Sequence, residues 1–167
     1  GRMRFFFPDV PPLPLPAGHR FPAGKYRLLL EEVRDRAMLG TAVIAPSPAV
    51  VVADLETAHA TWYVAAVLAG ELSLAEQSRI GLPWSEILVE RVLATVGGSL
   101  AAARSALETG LSGQLSGGTH HARRERGVGR VVGGERRLAA QELVNHRAER
   151  VDVGTRVGRT TADLLGR

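Results

Sequence analysis

The chain has no cysteine and a single lysine, Lys25, among its 167 residues. The first absence excludes disulfides, thiolate metal sites and cysteine nucleophiles, and it suits a reducing compartment, so a cytoplasmic location is expected. No run approaches the roughly 18 apolar residues of a spanning helix, and no membrane association is expected. Gly1-Arg2-Met3-Arg4 followed by Phe5-Phe6-Phe7 is basic and then apolar, but Pro8-Asp9 leaves the apolar part too short for a signal peptide. Aromatic residues are scarce at 5%, and all of them lie at or before Trp84. Anything after that point must stack or pack without a ring of its own.

What remains is ordinary in bulk and uneven in distribution. Hydrophobic residues at 45% and charged residues at 23% are globular values, which argues against wholesale disorder. The formal charge of +4 divides sharply: residues 1–121 carry 10 Lys and Arg against 11 acids, whereas 122–167 carry 11 Arg against 6 acids. Two segments follow from this, a patterned body over 1–122 and a basic, poorly patterned tail over 123–167.

Within the body, strand and helix patterns alternate. Arg4–Phe7 reads as a short buried strand ended by Pro8, and 11–16 as a Pro-rich loop. Tyr26, Leu29, Leu30 and Val33 recur at helical spacing within 23–39. Thr41–Ala45 is a second strand. Residues 54–68 read as one helix with Leu55, Ala58, Trp62, Ala65 and Ala66 on its apolar side, ended by Gly70. Ser85 is placed to cap the longest helix, 87–107, which Gly97-Gly98 interrupts. Each such glycine costs about 1 kcal/mol in a helix, so the pair points to another backbone packed closely there. Leu111–Ser116 is a third strand, leading into Gly117-Gly118. In the tail, 138–144 could form a short helix and 150–153 a short strand. This alternation points to an α/β fold with a mainly parallel sheet, whose chemistry gathers at the carboxyl ends of its strands.

That is where Ser116-Gly117-Gly118-Thr119-His120-His121-Ala122 falls. A Gly-Gly turn lets backbone approach a ligand, and neighbouring imidazoles can divide the work of base and electrostatic partner. An isolated His-His pair is more often a surface feature, so the surroundings must decide. Gly117 to Ala122 resembles the histidine-pair motif of the histone deacetylase and acetoin-utilisation protein family. Gly18-His19-Arg20-Phe21-Pro22 with Lys25-Tyr26 resembles the family's first active-site loop. His59, Tyr63-Val64 and Gly70 resemble the family's helix before the second strand region. Ile80 to Ser85 and Val96 to Ala103 are similar to the long helix before the histidine pair.

The resemblance implies the N-terminal part of an arginase/deacetylase-like three-layer α/β fold, with a mainly parallel sheet left incomplete and one edge exposed. It implies a zinc-dependent deacetylase acting on acetylated lysine or polyamine. His120 would then hold the metal-bound water, and His121 would act as general acid and base. Gly118 would bend the loop, and His19 would stand in the loop beside the site. Zinc is the cofactor expected for the family, where it polarises the carbonyl and acidifies the attacking water.

The tail departs from the pattern. The family's zinc ligands begin with Asp-x-His, which occurs nowhere in the chain. At the matching spacing stands Val151-Asp152-Val153-Gly154-Thr155-Arg156. There Asp152 would support the first histidine, but Gly154 and Arg156 occupy ligand positions and neither binds zinc, so no metal ligand is assigned. Gly129 matches the glycine of the segment lining the substrate tunnel, but Arg130 and Val131 follow it in place of an aromatic and a cysteine. An altered reading frame after Ala122 is the favoured account, and an in-frame diverged tail the other. The chain alone is therefore expected to be inactive. The alternative to a deacetylase is a non-catalytic remnant, or a binding protein using its Arg-rich tail. Nucleic acid is disfavoured as a partner because the tail carries no aromatic for stacking and no recognised motif. The oligomeric state is left open.

Overall fold

The computed structural model describes residues 1–117, 123–127, 130–132 and 135–137. Three parallel strands form the sheet: β1 (Arg4–Phe7), β2 (Val43–Pro46) and β3 (Ser112–Gln114), in the order β2-β1-β3. Arg4 faces Val43 on one side and Ser112 on the other. The central position of β1 explains its three consecutive phenylalanines. A strand covered on both faces reads as a continuous apolar run rather than an alternation. Phe6 and Phe7 are buried, and Phe5 lies against Gly113, where an added Cβ would meet its ring at 2.9 Å. Helices combined with a small parallel sheet make this an α/β arrangement.

The connections are helical. Helix α1 (Lys25–Asp35) joins β1 to β2 and buries Leu30 and Val33, whereas Leu29, on the expected apolar face, stays exposed. Helix α5 (Glu86–Thr109) leads into β3 and packs on β1 and β3. Its start is as the sequence indicates: the Ser85 hydroxyl accepts from the Leu88 N–H at 3.0 Å, satisfying one of the helix's free first-turn donors. The helix runs unbroken through Gly97 and Gly98. The segment 48–50, just beyond β2, lies directly on it, so that a Cβ on Gly97 would collide with the Pro48 carbonyl oxygen and come within 2.7 Å of the Val50 nitrogen. The Val50 N–H donates to the Leu93 carbonyl of α5 at 3.0 Å, so loop and helix backbones are hydrogen-bonded at the contact. Val50, Leu55, Val64 and Val96 form the core around this approach, with Leu68, Leu93 and Leu100 packed against it.

Between β2 and α5 the sequence reading needs correction. In place of one helix over 54–68 there are two, α2 (Val52–Glu56) and α3 (Thr61–Ala69), with Thr57 to Ala60 between them. The break has a long-range cause. The Ala60 N–H donates to the carbonyl of Arg124 at 2.8 Å, and the His59 ring is engaged on the same turn of chain. Restarting the helix at Thr61 also shifts its phase. Tyr63 and Val64 take the buried side, and Trp62, expected there, is 53% exposed.

Gly70 ends α3 in the left-handed conformation, with the Trp84 ring on it so closely that a Cβ would meet the ring at 2.7 Å. Helix α4 (Leu74–Ile80) follows, opened by a capping box. The Ser73 hydroxyl accepts from the Glu76 N–H, and the Glu76 carboxylate accepts from the Ser73 N–H. A separate antiparallel pair, β4 (Arg130–Val132) and β5 (Glu135–Arg137), pairs Arg130 with Arg137. No described helix is long and apolar enough to cross a membrane.

Candidate functional site

The three strands are parallel, so their carboxyl ends lie together, and the chain leaves β3 there through Leu115, Ser116 and Gly117. What holds this exit is the first turn of α1, with the segment that leads into it. The Tyr26 hydroxyl donates to the Gly117 carbonyl at 2.9 Å, across 91 residues of sequence. Lys25 sits over both the Phe21 and Tyr26 rings, at 5.0 and 4.9 Å from their centroids. His19 is fixed by two contacts. Its Nδ1 accepts from the Phe21 N–H at 3.1 Å, which leaves the ring proton on Nε2 to face the Gly81 carbonyl at 3.3 Å. The segment His19 to Tyr26 is thus a clamp on the last described residue before the Gly-Thr-His-His stretch.

Beneath the clamp lies a residue with no warning in the sequence. Arg91, on α5, is 9% exposed and stacks its guanidinium 4.3 Å from the Tyr26 ring centroid. Burial holds its pKa below the usual arginine value, and Tyr26 opposes the shift. Its Nη2 has no hydrogen-bond partner among the described residues, and neither has the buried Ser116 hydroxyl. Arg91 sits inside an apolar helical pattern that gives no hint of a buried cation. Tyr26 could be found from its motif; Arg91 could not.

Of the residues expected at the site, His19 is placed as described. His120, His121, Gly118, Gly129 and Asp152 lie outside the described residues, as do Gly154 and Arg156 at the expected ligand positions. A zinc ion needs at least three converging protein donors. Among the described residues, no group of three or more His, Asp or Glu converges. The described residues therefore do not fit the metal.

The chain after Ala122 is tied to the body at a second place. Arg123 and Arg126 pair across a tight turn, each donating its N–H to the other's carbonyl. His59, 4% exposed, faces the Arg123 carbonyl from Nδ1 at 2.9 Å and the Arg124 carbonyl at 3.3 Å. Carbonyls only accept, so Nδ1 carries the proton. Behind it the Tyr63 ring lies 5.6 Å away, and Gly127 passes close enough that a Cβ would reach the Tyr63 hydroxyl at 2.8 Å.

The Tyr63 phenol is pushed up to about 12, first by burial, with the Gly127 backbone hydrogen bond opposing and the Glu76 charge adding. A folded-state pKa raised above the unfolded value of 10.0 gives stability that is present below pH 10 and lost as pH rises toward 12. At about 1.4 kcal/mol per pH unit, the loss across that window is roughly 2–3 kcal/mol. Urea unfolding at pH 9 and pH 11 captures the first half of this loss, about 1.3 kcal/mol. Tyr63→Phe should remove most of the difference, and an equal loss in that variant would refute the assignment.

With the fold and both anchor points in view, comparison with known proteins is decisive. The histone deacetylase domain matches residues 19–153, most of the chain. The chain belongs to the histone deacetylase domain family. The matched region of this deacetylase-family chain opens at His19 and continues past Ala122 through the arginine turn to Val153. An uncharacterized protein of Picosynechococcus sp. is 41% identical over 109 residues, covering 65% of this chain. The chain spans only 36% of that relative's length.

Proposed function

We propose that this chain is the N-terminal part of a deacetylase-type amide hydrolase, acting in its complete form on acetylated lysine or acetylated polyamine. The observation that carries the reading is the bond from Tyr26 to the Gly117 carbonyl. It fastens the motif-bearing segment His19 to Tyr26 onto the carboxyl end of β3, three residues before His120. In this reading His120 and His121 are the proton-handling pair. His121 takes the proton from the attacking water and returns it to the leaving amine, and His120 supports the developing charge with Asp152 behind it. Gly118 lets the loop bend, and Gly129 stands at the tunnel position. The body over 1–122 acts as scaffold, and the tail over 123–167 stands where the family places its ligands. Zinc would be supplied with its ligands from beyond this set of residues, because Gly154 and Arg156 provide none.

By this account the chain by itself neither retains zinc stoichiometrically nor hydrolyses acetyl groups. Elemental analysis after dialysis from zinc, with turnover assays on an acetyl-lysine peptide and an acetylated polyamine, tests both points. Tight one-to-one zinc together with turnover abolished by His121→Ala would overturn the inactivity and place the missing ligands within this chain. A second reading, a binding role for the arginine-rich region, is favoured by a specific feature of the surface beside Trp62.

A further inference from the structure

Arginines of the tail stand beside an aromatic ring that the tail itself lacks. A cleft of about 390 Å3 is lined by Trp62, Glu76, Arg79, Arg123, Arg124, Glu125 and Arg126. That volume lies within the range of about 300–1,000 Å3 usual for small-molecule sites. Four guanidinium groups against two carboxylates leave it a formal balance of +2. The Glu76 carboxylate accepts from the Ser73 N–H and hydroxyl, and these bonds, with the Arg79 charge adding, hold its pKa below the usual carboxylate value. None of the four arginines makes an ion pair among the described residues. The Trp62 indole, turned outward by the break between α2 and α3, is 53% exposed on the same wall.

The positions of these groups are held from behind. His59 bonds the Arg123 and Arg124 carbonyls, and Ala60 bonds Arg124 again, so the turn presents its side chains from a backbone fixed at three contacts. An exposed indole beside unpaired guanidinium groups is the combination that recognises an aromatic base attached to phosphate. The ring stacks on the base, and the forked donors take the phosphate oxygens. A phosphate without a base would leave the indole unused, and a neutral ring would leave the arginines unpaired.

We infer that this cleft binds a nucleotide unit, with the base on Trp62 and the phosphate among Arg79, Arg123, Arg124 and Arg126. The unit is either a free nucleotide or one residue of a single strand. The site is independent of the hydrolase reading and needs no zinc.

The test titrates the full chain with ADP, a short single-stranded oligodeoxythymidylate and inorganic pyrophosphate, by calorimetry at several salt concentrations. ADP or the oligonucleotide should bind more tightly than pyrophosphate, and whichever binds better identifies the source of the nucleotide. Trp62→Ala should weaken that ligand by roughly 5- to 100-fold and leave pyrophosphate unchanged, whereas Trp62→Phe retains most of the affinity. The double variant Arg124→Ser with Arg126→Ser should weaken all three probes. If the strand is the ligand, this variant should also reduce the slope of log affinity against log salt by about 1.4. All substituted side chains are exposed, and circular dichroism verifies that the variants fold. Absence of binding by all three probes would overturn the inference. So would pyrophosphate binding as tightly as the others with Trp62→Ala without effect, which describes a surface anion patch alone.

Discussion

Gly97→Ala should cost at least about 4 kcal/mol, most of the stability of a domain at the low end of the ordinary range. Helix propensity alone points the other way. Alanine in a helix interior is favoured over glycine by about 1 kcal/mol, so a freely accessible site would become more stable. The close approach decides the sign. The added methyl would collide with the Pro48 carbonyl oxygen and lie 2.9 Å from the Ala49 carbonyl carbon, both backbone atoms that no rotamer change can move. Relief requires lifting residues 48–50 off α5, which breaks the Val50 to Leu93 hydrogen bond and opens the core beside Val50 and Val96. Gly24→Ala is the control, because nothing lies within 4 Å of its Cβ position and its φ of −80° suits any residue. That variant should stay within about 0.5 kcal/mol of the parent. Urea denaturation followed by circular dichroism separates the two. A Gly97→Ala chain as stable as the parent would mean that segment 48–50 does not pack there.

His59→Ala should have the second largest effect, roughly 2–4 kcal/mol, and a local signature as well. The substitution empties a buried site and leaves the Arg123 and Arg124 carbonyls without their imidazole donor, two losses that act in the same direction. The turn then keeps the bond from Ala60 to Arg124 and, just after it, the Gly127 backbone bond to Tyr63. Limited trypsinolysis read by mass spectrometry should show cleavage after Arg123, Arg124 and Arg126 accelerating more than cleavage at Arg34 and Arg36, on and just after α1. Nucleotide binding in the adjoining cleft should weaken in parallel, although His59 does not line it. Unchanged cleavage at the turn would show that His59 does not hold it.

Much of the architecture could be read because its causes are local. A serine three residues before a free N–H, a proline after an apolar run and a positive-φ glycine after a helix act within a few residues. Ser85, Pro8 and Gly70 accordingly stand where expected. The capping box at Ser73 and Glu76 was equally legible, as a serine followed three residues later by glutamate, but the short helix it opens carries too little periodicity to attract notice. The single helix expected over 54–68 failed for a different reason. Its periodicity is genuine, but the Ala60 N–H and the His59 ring are taken by a turn more than sixty residues away.

Family membership and the His120-His121 motif were readable from the chain alone, because motifs are runs of neighbours and need no fold to be recognised. So was the close approach at Gly97-Gly98, because a glycine pair in a long helix is costly unless something occupies the space. Tertiary structure alone decided that Arg91 lies buried under Tyr26, and that Tyr26 holds Gly117. It also brought Trp62 out beside Arg123 to Arg126. The physical difference is one of range. Caps and periodicities act over a turn of helix, whereas these contacts join residues 60 to 91 positions apart and exist only once the surfaces between them have packed.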